Sequence, residues 1–271
     1  MSAILWLVAA VGLAPLILGL VLARSSATRP TGLIAHIVLC ALAFNLTFFW
    51  QELWLVLPKA WAGLQPTLFH NDHSWSVEAP IAELLQGTGA LGTLTSGLAF
   101  TAALALTRRA GPTWRAFFFW MAAQGLFQAF SQLAIGTILS GNDVGRALTY
   151  LQLGQPAKIA LLAVAVVAMA AAGAVLARLA PIGRALAWTI PSAALLSAIL
   201  IVPFRMPRHI IEVGLIPLIV NLILAGWIVL GAALVKGAAR EAGPVGLLWP
   251  SAALVAVLAV FQLLLRQGVG F

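Results

Sequence analysis

Long apolar runs dominate the chain, and short stretches carrying charge, proline or glycine separate them. A run of about 20 apolar residues is long enough to cross a hydrocarbon core about 30 Å thick as a helix. The pattern therefore predicts an all-α bundle of eight transmembrane helices, forming a single integral-membrane domain over 1–271. The predicted spans are 3–23, 32–57, 81–107, 114–139, 157–179, 184–204, 210–236 and 244–265.

Composition supports a membrane location. Hydrophobic residues make up 62% of the chain and charged residues 8%, against about 25% charged residues in an ordinary soluble domain. The net charge of +8 would suggest nucleic acid as the partner of a soluble protein, but here the basic residues lie in short connections beside apolar runs. We therefore expect the lipid bilayer as partner, no nucleic acid, and a bacterial inner (plasma) membrane as the location.

The basic residues also predict an orientation. The connections that follow the odd-numbered spans carry nine basic residues and the remaining connections carry six. Because cytoplasmic loops hold the excess of Lys and Arg, the N-terminus is predicted on the non-cytoplasmic side. No basic residue precedes the first apolar run, so we expect a retained helix rather than a cleaved signal peptide.

Acidic residues and histidines gather on the other set of connections. Six of the seven acids lie in or beside it, as do the three histidines outside the apolar spans. Its three segments are 50–84, 138–153 and 202–214, and the first of them contains a predicted non-cytoplasmic loop over 58–80. These three polar connections are predicted to meet at one face of the membrane.

This polar face contains candidate metal ligands and catalytic groups. Imidazole and carboxylate together suit a divalent metal such as zinc, and the candidate ligands are His70, His73, His209 and Glu212. Glu52 or Asp143 would accept a proton from metal-bound water, and Arg205 or Arg208 would stabilise developing negative charge. A hydrated loop, or a proton relay or pH sensor built from the histidines, remains an alternative.

Two apolar spans carry patterns that bear on helix packing. Gln124, Gln128 and Gln132 are spaced by four residues in the fourth span and form a polar stripe. In lipid this stripe must face other helices, either as an adhesive surface or as the lining of a cavity below Asp143. In the third span, "QGTGALGTLTSG" favours close helix contact.

Two segments resemble those of site-2-type intramembrane metalloproteases. "FFWQELWLVLPKA" is similar to the HExxH helix of that family, and "SGNDVGRAL" to its aspartate motif. The resemblance implies that Glu52 matches the catalytic glutamate and Asp143 the ligand aspartate. Gln51 and Leu55 occupy the two histidine positions, and leucine cannot bind zinc, so the family's own metal site cannot form here.

Two classes of function follow. One is a metal-dependent hydrolase acting on a membrane-embedded or lipid-linked substrate at the non-cytoplasmic face. The other is non-enzymatic, either a transporter or a structural subunit of a larger complex with partner membrane subunits. The sequence predicts no substrate.

Overall fold

The computed structural model describes residues 9–23, 32–206, 208–209, 211–235 and 243–271. These residues form a helical bundle with a small sheet at one end. The helices are α1 (Ala14–Leu22), α2 (Leu33–Trp61), α3 (Ile81–Leu85), α4 (Thr88–Leu106), α5 (Pro112–Gly136), α6 (Asp143–Tyr150), α7 (Gln155–Leu179), α8 (Leu186–Arg205), α9 (Ile216–Leu234) and α10 (Leu248–Val260). Short π-helical segments precede α1 and α9 and follow α10, at Ala9–Leu13, Ile211–Leu215 and Phe261–Leu265.

The all-α prediction is confirmed, and the described residues contain six apolar helices long enough to cross a membrane. These six are Leu33–Trp61, Ile81–Leu106, Gln155–Leu179, Leu186–Arg205, Glu212–Leu234 and Leu248–Leu265. Helix α5 is equally long but carries the glutamine stripe, which reduces its hydropathy. The predicted first span lies partly outside the described residues, and its remainder contains a shorter apolar helix, Ala10–Leu22. The number of eight spans and the orientation stay predictions.

The core of the bundle forms around α5. Large apolar side chains of this helix, including Phe119, Trp120 and Phe127, are completely buried. They pack with buried residues of α2, α7, α8 and α9. Because α5 is enclosed by other helices, its polar stripe can be satisfied inside the protein rather than exposed to lipid.

Helices α4 and α5 cross with their backbones almost in contact. A Cβ atom added to Gly97 would lie 2.5 Å from the backbone nitrogen of Leu126, and one added to Gly125 would lie 2.5 Å from that of Gly97. No side chain fits in this space. The predicted close helix contact in the third span is therefore confirmed.

Helix α2 extends beyond its predicted end and contains Pro58 in its last turns. Proline has no N–H, so the carbonyl of Trp54 loses its helical donor. The hydroxyl of Thr88, at the start of α4, donates to that carbonyl instead at an O–O distance of 2.5 Å. A neighbouring helix thus satisfies the freed backbone group, as the membrane interior requires.

The predicted loop 58–80 contains a β-hairpin that the sequence pattern did not predict. Strands β1 (Pro66–Leu68) and β2 (His73–Trp75) pair antiparallel, and β3 (Val269–Gly270) pairs with the other edge of β1. A hydrogen bond from the amide of Phe69 to the carbonyl of Asp72 closes the turn. The hairpin packs on the C-terminal part of α2 and brings its histidines to that end of the bundle.

The glycine crossing gives a testable stability difference. Gly97→Ala should lower the free energy of unfolding by about 1–3 kcal/mol, because the methyl group would overlap the α5 backbone. Gly214→Ala is the matched control, since a Cβ at that position would meet nothing within 4 Å. Thermal unfolding of both purified variants in detergent measures the difference; equal melting temperatures would contradict the described crossing.

Candidate functional site

The three polar connections meet at one end of the bundle, as predicted. Arg208 pairs with Asp72 at 2.8 Å, which joins the third connection to the first. Arg146 makes a bidentate contact with Glu83 at 2.6 and 2.7 Å, which joins the second connection to the first. These pairs are partly exposed, so each contributes little stability by itself. Their value lies in fixing the position of the hairpin.

A buried chain of three ionisable side chains lies beneath this surface. Nδ1 of His73 is 2.8 Å from Oε2 of Glu52, and Nε2 of the same ring is 3.3 Å from Nζ of Lys59. Glu52 and Lys59 are seven residues apart on α2, so both lie on one face of the helix. Glu52 is 3% exposed and Lys59 is 0% exposed. The imidazole of His73 thereby connects the carboxylate of Glu52 with the ammonium group of Lys59.

Lys59 is held by three different contacts. Besides its contact with His73, its ammonium group donates to the carbonyl of Leu55 at 3.0 Å. It also lies 5.0 Å from the centre of the Trp75 ring. The predicted end of the second span at 57 places Lys59 in a loop, whereas the structure places it inside α2. Its seven-residue spacing from Glu52 is the sequence signal that could have placed both residues on one face of α2.

Asp143 extends the buried chain through an amide. Its Oδ2 accepts a long hydrogen bond, 3.4 Å, from Nε2 of Gln51. Asp143 is the first residue of α6, whose N-cap, Asn142, accepts a hydrogen bond from the amide of Gly145. Burial, and then the nearby Glu52 carboxylate, raises the pKa of Asp143, while His73 and Lys59 oppose the shift. The folded protein therefore binds a proton at Asp143 more tightly than the unfolded chain does.

The glutamine stripe of α5 continues from this point into the bundle. Gln132 donates to Oε1 of Gln51 at 2.8 Å. Further along the helix, Gln128 donates to Gln124 at 3.3 Å, and Gln124 donates to Asn221 at 2.7 Å. One turn beyond, the indole of Trp120 donates to His36 at 3.2 Å. The stripe faces other helices, as predicted.

Other predicted residues lie in a second group beside the first. Arg208 also contacts Glu212 at 3.3 Å. Arg205, the last residue of α8, is buried, and its backbone carbonyl accepts a hydrogen bond from Asn71 at 2.6 Å. Its guanidinium group lies over the ring of Phe48. Arg205 and Arg208 are therefore close in sequence but differ in environment.

The predicted metal ligands are not brought together in the described residues. His73 pairs with Glu52, whereas His70 lies in the hairpin turn with its ring 5.7 Å from that of Phe261. Glu212 contacts Arg208 and His209 is exposed. The hairpin separates the two histidines because one lies in its turn and the other in β2. Across the described ranges, no group of three His, Cys, Asp or Glu side chains could hold a metal ion; metal binding stays a prediction.

A shallow cleft of about 330 Å³ lies at the outer edge of the site. It is lined by Pro80, Glu83, Ser140, Arg146, Thr149 and Tyr150. The ring of Trp75 lies 5.4 Å from the Arg146 guanidinium carbon and 5.0 Å from the Lys59 ammonium. Trp75 therefore links the lining of this cleft to the buried chain.

Comparison of the chain with protein-family models, curated proteins and solved structures gives no match.

The raised pKa of Asp143 gives a testable pH dependence. Asp143→Asn should raise the free energy of unfolding at neutral pH by on the order of 1 kcal/mol, because wild-type Asp143 must bear a charge there. The gain should shrink as the pH falls and disappear below about 3, where the wild-type carboxyl is protonated in both the folded and unfolded states because its unfolded pKa is about 3.9. Thermal unfolding of both proteins across this range measures the gain.

Asp72→Asn is the matched control for this measurement. Asp72 is paired with Arg208 at the surface, so its substitution should give no stabilisation at neutral pH. A stabilisation by Asp143→Asn that is constant across the pH range would contradict the assigned cause.

Proposed function

We propose that this chain is a multi-pass membrane protein that translocates protons through its helix bundle, as the proton pathway of a transporter. One observation carries the proposal: a buried acid and a buried base on one helix are bridged by both ring nitrogens of His73. Ionisable groups inside membrane bundles are costly, and they are characteristic of proton relays and ion pathways.

The geometry supports a specific transfer. Protonated Lys59 donates to Nε2 of His73, while Nδ1 donates to the Glu52 carboxylate. Transfer of a proton from Nζ to Nε2 breaks one N–H bond and forms another. Release of the Nδ1 proton to Oε2 then leaves neutral lysine, neutral histidine and a protonated glutamic acid. The proton has crossed the imidazole ring. The starting state returns when Glu52 passes its proton on, Lys59 takes up another, and the ring loses its Nε2 proton and gains one at Nδ1 through water.

The path beyond Glu52 follows amide groups. Gln51, adjacent to Glu52, contacts both Asp143 and Gln132. From Gln51 to His36 on α2 is a distance of about 22 Å, given a rise of about 1.5 Å per residue, and polar contacts of α5 lie along this length. Oε1 atoms of Gln128 and Gln132 are buried without a partner among the described residues. Such acceptors favour bridging water, which would carry the proton between them.

The finer topology belongs to the same proposal. Eight spans and a non-cytoplasmic N-terminus would place the Lys59–His73–Glu52 chain at the non-cytoplasmic face. A bacterial inner membrane would supply the proton gradient.

A second candidate, hydrolysis of a membrane-embedded or lipid-linked substrate, is favoured by one observation. Gln51 and Asp143, which contact each other, belong to the two segments that resemble site-2-type metalloproteases. In this alternative Glu52 or Asp143 would take a proton from the attacking water, with a bound divalent metal such as zinc activating it. Zinc-dependent cleavage of a membrane substrate that is lost in Asp143→Asn, without proton flux, would favour this alternative.

Glu52→Gln tests the proton pathway. In liposomes with an internal pH-sensitive dye and an imposed proton gradient, the wild-type protein should acidify the interior. The variant should do so at least about tenfold more slowly, because an amide cannot accept the relayed proton. The substitution keeps the side-chain size.

Glu83→Gln is the control for this experiment, since it makes the same chemical change in a partly exposed ion pair outside the buried chain. Its flux should match that of the wild type. Wild-type flux equal to that of protein-free liposomes, or to that of Glu52→Gln, would refute the proposal.

A further inference from the structure

The guanidinium group of Arg205 lies beside the proposed proton pathway, and two of its nitrogen atoms have no hydrogen-bonding partner among the described residues. Arg205 is 2% exposed. Within the described part of the chain, its Nε and Nη1 atoms are buried and contact no acceptor. These two nitrogens carry three N–H donors. The guanidinium carbon lies 4.2 Å from the centre of the Phe48 ring, which attracts the cation but replaces none of these hydrogen bonds.

A second buried side chain from another element shares this condition. His70 is 3% exposed, and neither of its ring nitrogens makes a well-formed hydrogen bond among the described residues, although the backbone carbonyls of Phe204 and Met206 lie near the ring. The adjacent Asn71 donates to the backbone carbonyl of Arg205 at 2.6 Å. The hairpin turn is therefore fastened directly to the end of α8, which brings the imidazole close to the guanidinium.

Nearby carboxylates have other partners. Asp72 and Glu212 contact Arg208 at 2.8 and 3.3 Å, and Glu52 contacts His73 at 2.8 Å. Removing one partner of a buried ion pair is strongly destabilising because a buried charge remains uncompensated. Arg205 forms no ion pair among the described residues, although Glu52, Glu212 and Asp72 lie near enough to favour its charge. A bound anion would supply the hydrogen-bond acceptors that its buried nitrogens lack.

We infer that Arg205 and His70 bind a phosphate group, carried either by a lipid headgroup or by a free phosphate. A guanidinium matches the oxygens of phosphate in geometry and charge. In its neutral form His70 has one N–H donor for a further oxygen. Arg205 ends an apolar helix long enough to span the membrane, so the site lies at the depth of headgroups, where basic pockets between helices bind phospholipids.

The surroundings provide a route for a lipid. The ring of Phe261 covers His70 and also contacts Phe204 and Phe49, with ring centres 6.4 and 5.1 Å away. Phe261 follows α10, in which Pro250 is the only fully buried residue. Gln262, which follows α10, donates to the carbonyl of Pro203 in α8 at 2.9 Å. Because α10 itself is held by few buried side chains, its displacement from α8 would admit a headgroup to Arg205. The inference does not depend on proton translocation, since it concerns different side chains.

Thermal unfolding of the full chain in dodecyl maltoside, a detergent that contains no phosphate, tests the inference and separates the two sources. One arm adds increasing inorganic phosphate. The other adds phosphatidylglycerol to the micelles, without free phosphate. A rise in melting temperature in the first arm indicates free phosphate, and a rise confined to the second indicates an anionic lipid headgroup. No rise in either arm overturns the inference.

Variants establish which side chains are responsible. Arg205→Gln should weaken the response at least about tenfold in ligand concentration, the loss expected for a charge-assisted hydrogen bond. Without phosphate or anionic lipid its melting temperature should equal or exceed that of the wild type, because an unpaired buried cation has been removed. A purely structural arginine would instead lower it.

His70→Gln provides a second test if Arg205→Gln does not fold, and it should also weaken the response. Arg146→Gln is the matched control, since it removes an equal charge at the same end of the bundle from a pair with Glu83. Its response should be that of the wild type. A wild-type response in both Arg205→Gln and His70→Gln, or an equal loss in Arg146→Gln, would overturn the assignment to this site.

Discussion

The completely buried ammonium group of Lys59 is the strictest constraint on this end of the bundle. Transfer of an isolated charge from water into protein costs several kcal/mol even after relaxation. Here the cost is offset by a backbone carbonyl, an imidazole and an aromatic ring, which come from α2 itself and from β2. The hairpin therefore supplies two of the contacts that offset the burial of Lys59, and these contacts fix its position on α2.

The cost of burying polar groups without hydrogen-bonding partners also explains where they lie in the rest of the fold. Helix α5 is surrounded by other helices, and its glutamines bond to α2, to α9 and to one another. In lipid each unsatisfied amide would be costly, so the stripe specifies which face of α5 points inward. The close approach of Gly97 and Gly125 allows this packing without side chains between the helices. Hydrogen bonding of the glutamines and close packing at the glycines thus favour the same position of α5 in the bundle.

Hydropathy predicted most of the helices because lipid exposure requires long apolar runs. The convergence of polar connections was also predictable, since successive spans alternate in direction. Pairing inside the site was not. His70 and His73 look equivalent in sequence, but a hairpin turn separates them, and hairpins depend on cross-strand contacts that a short polar segment does not reveal. Lys59 lies beyond the predicted helix end for a related reason. Pro58 indicates a helix end, but α2 continues to Trp61, and the hydroxyl of Thr88 contacts the carbonyl that the proline leaves without a helical donor.

That hydroxyl has a mechanical consequence. It joins the carbonyl of Trp54 to the first turn of α4, just after the break between α3 and α4. The last turns of α2, which contain Lys59, are thus hydrogen-bonded to the start of α4 as well as within their own helix. A tilt at the break between α3 and α4 would change the distance between the nitrogen atoms of Lys59 and His73, on which the proposed proton transfer depends.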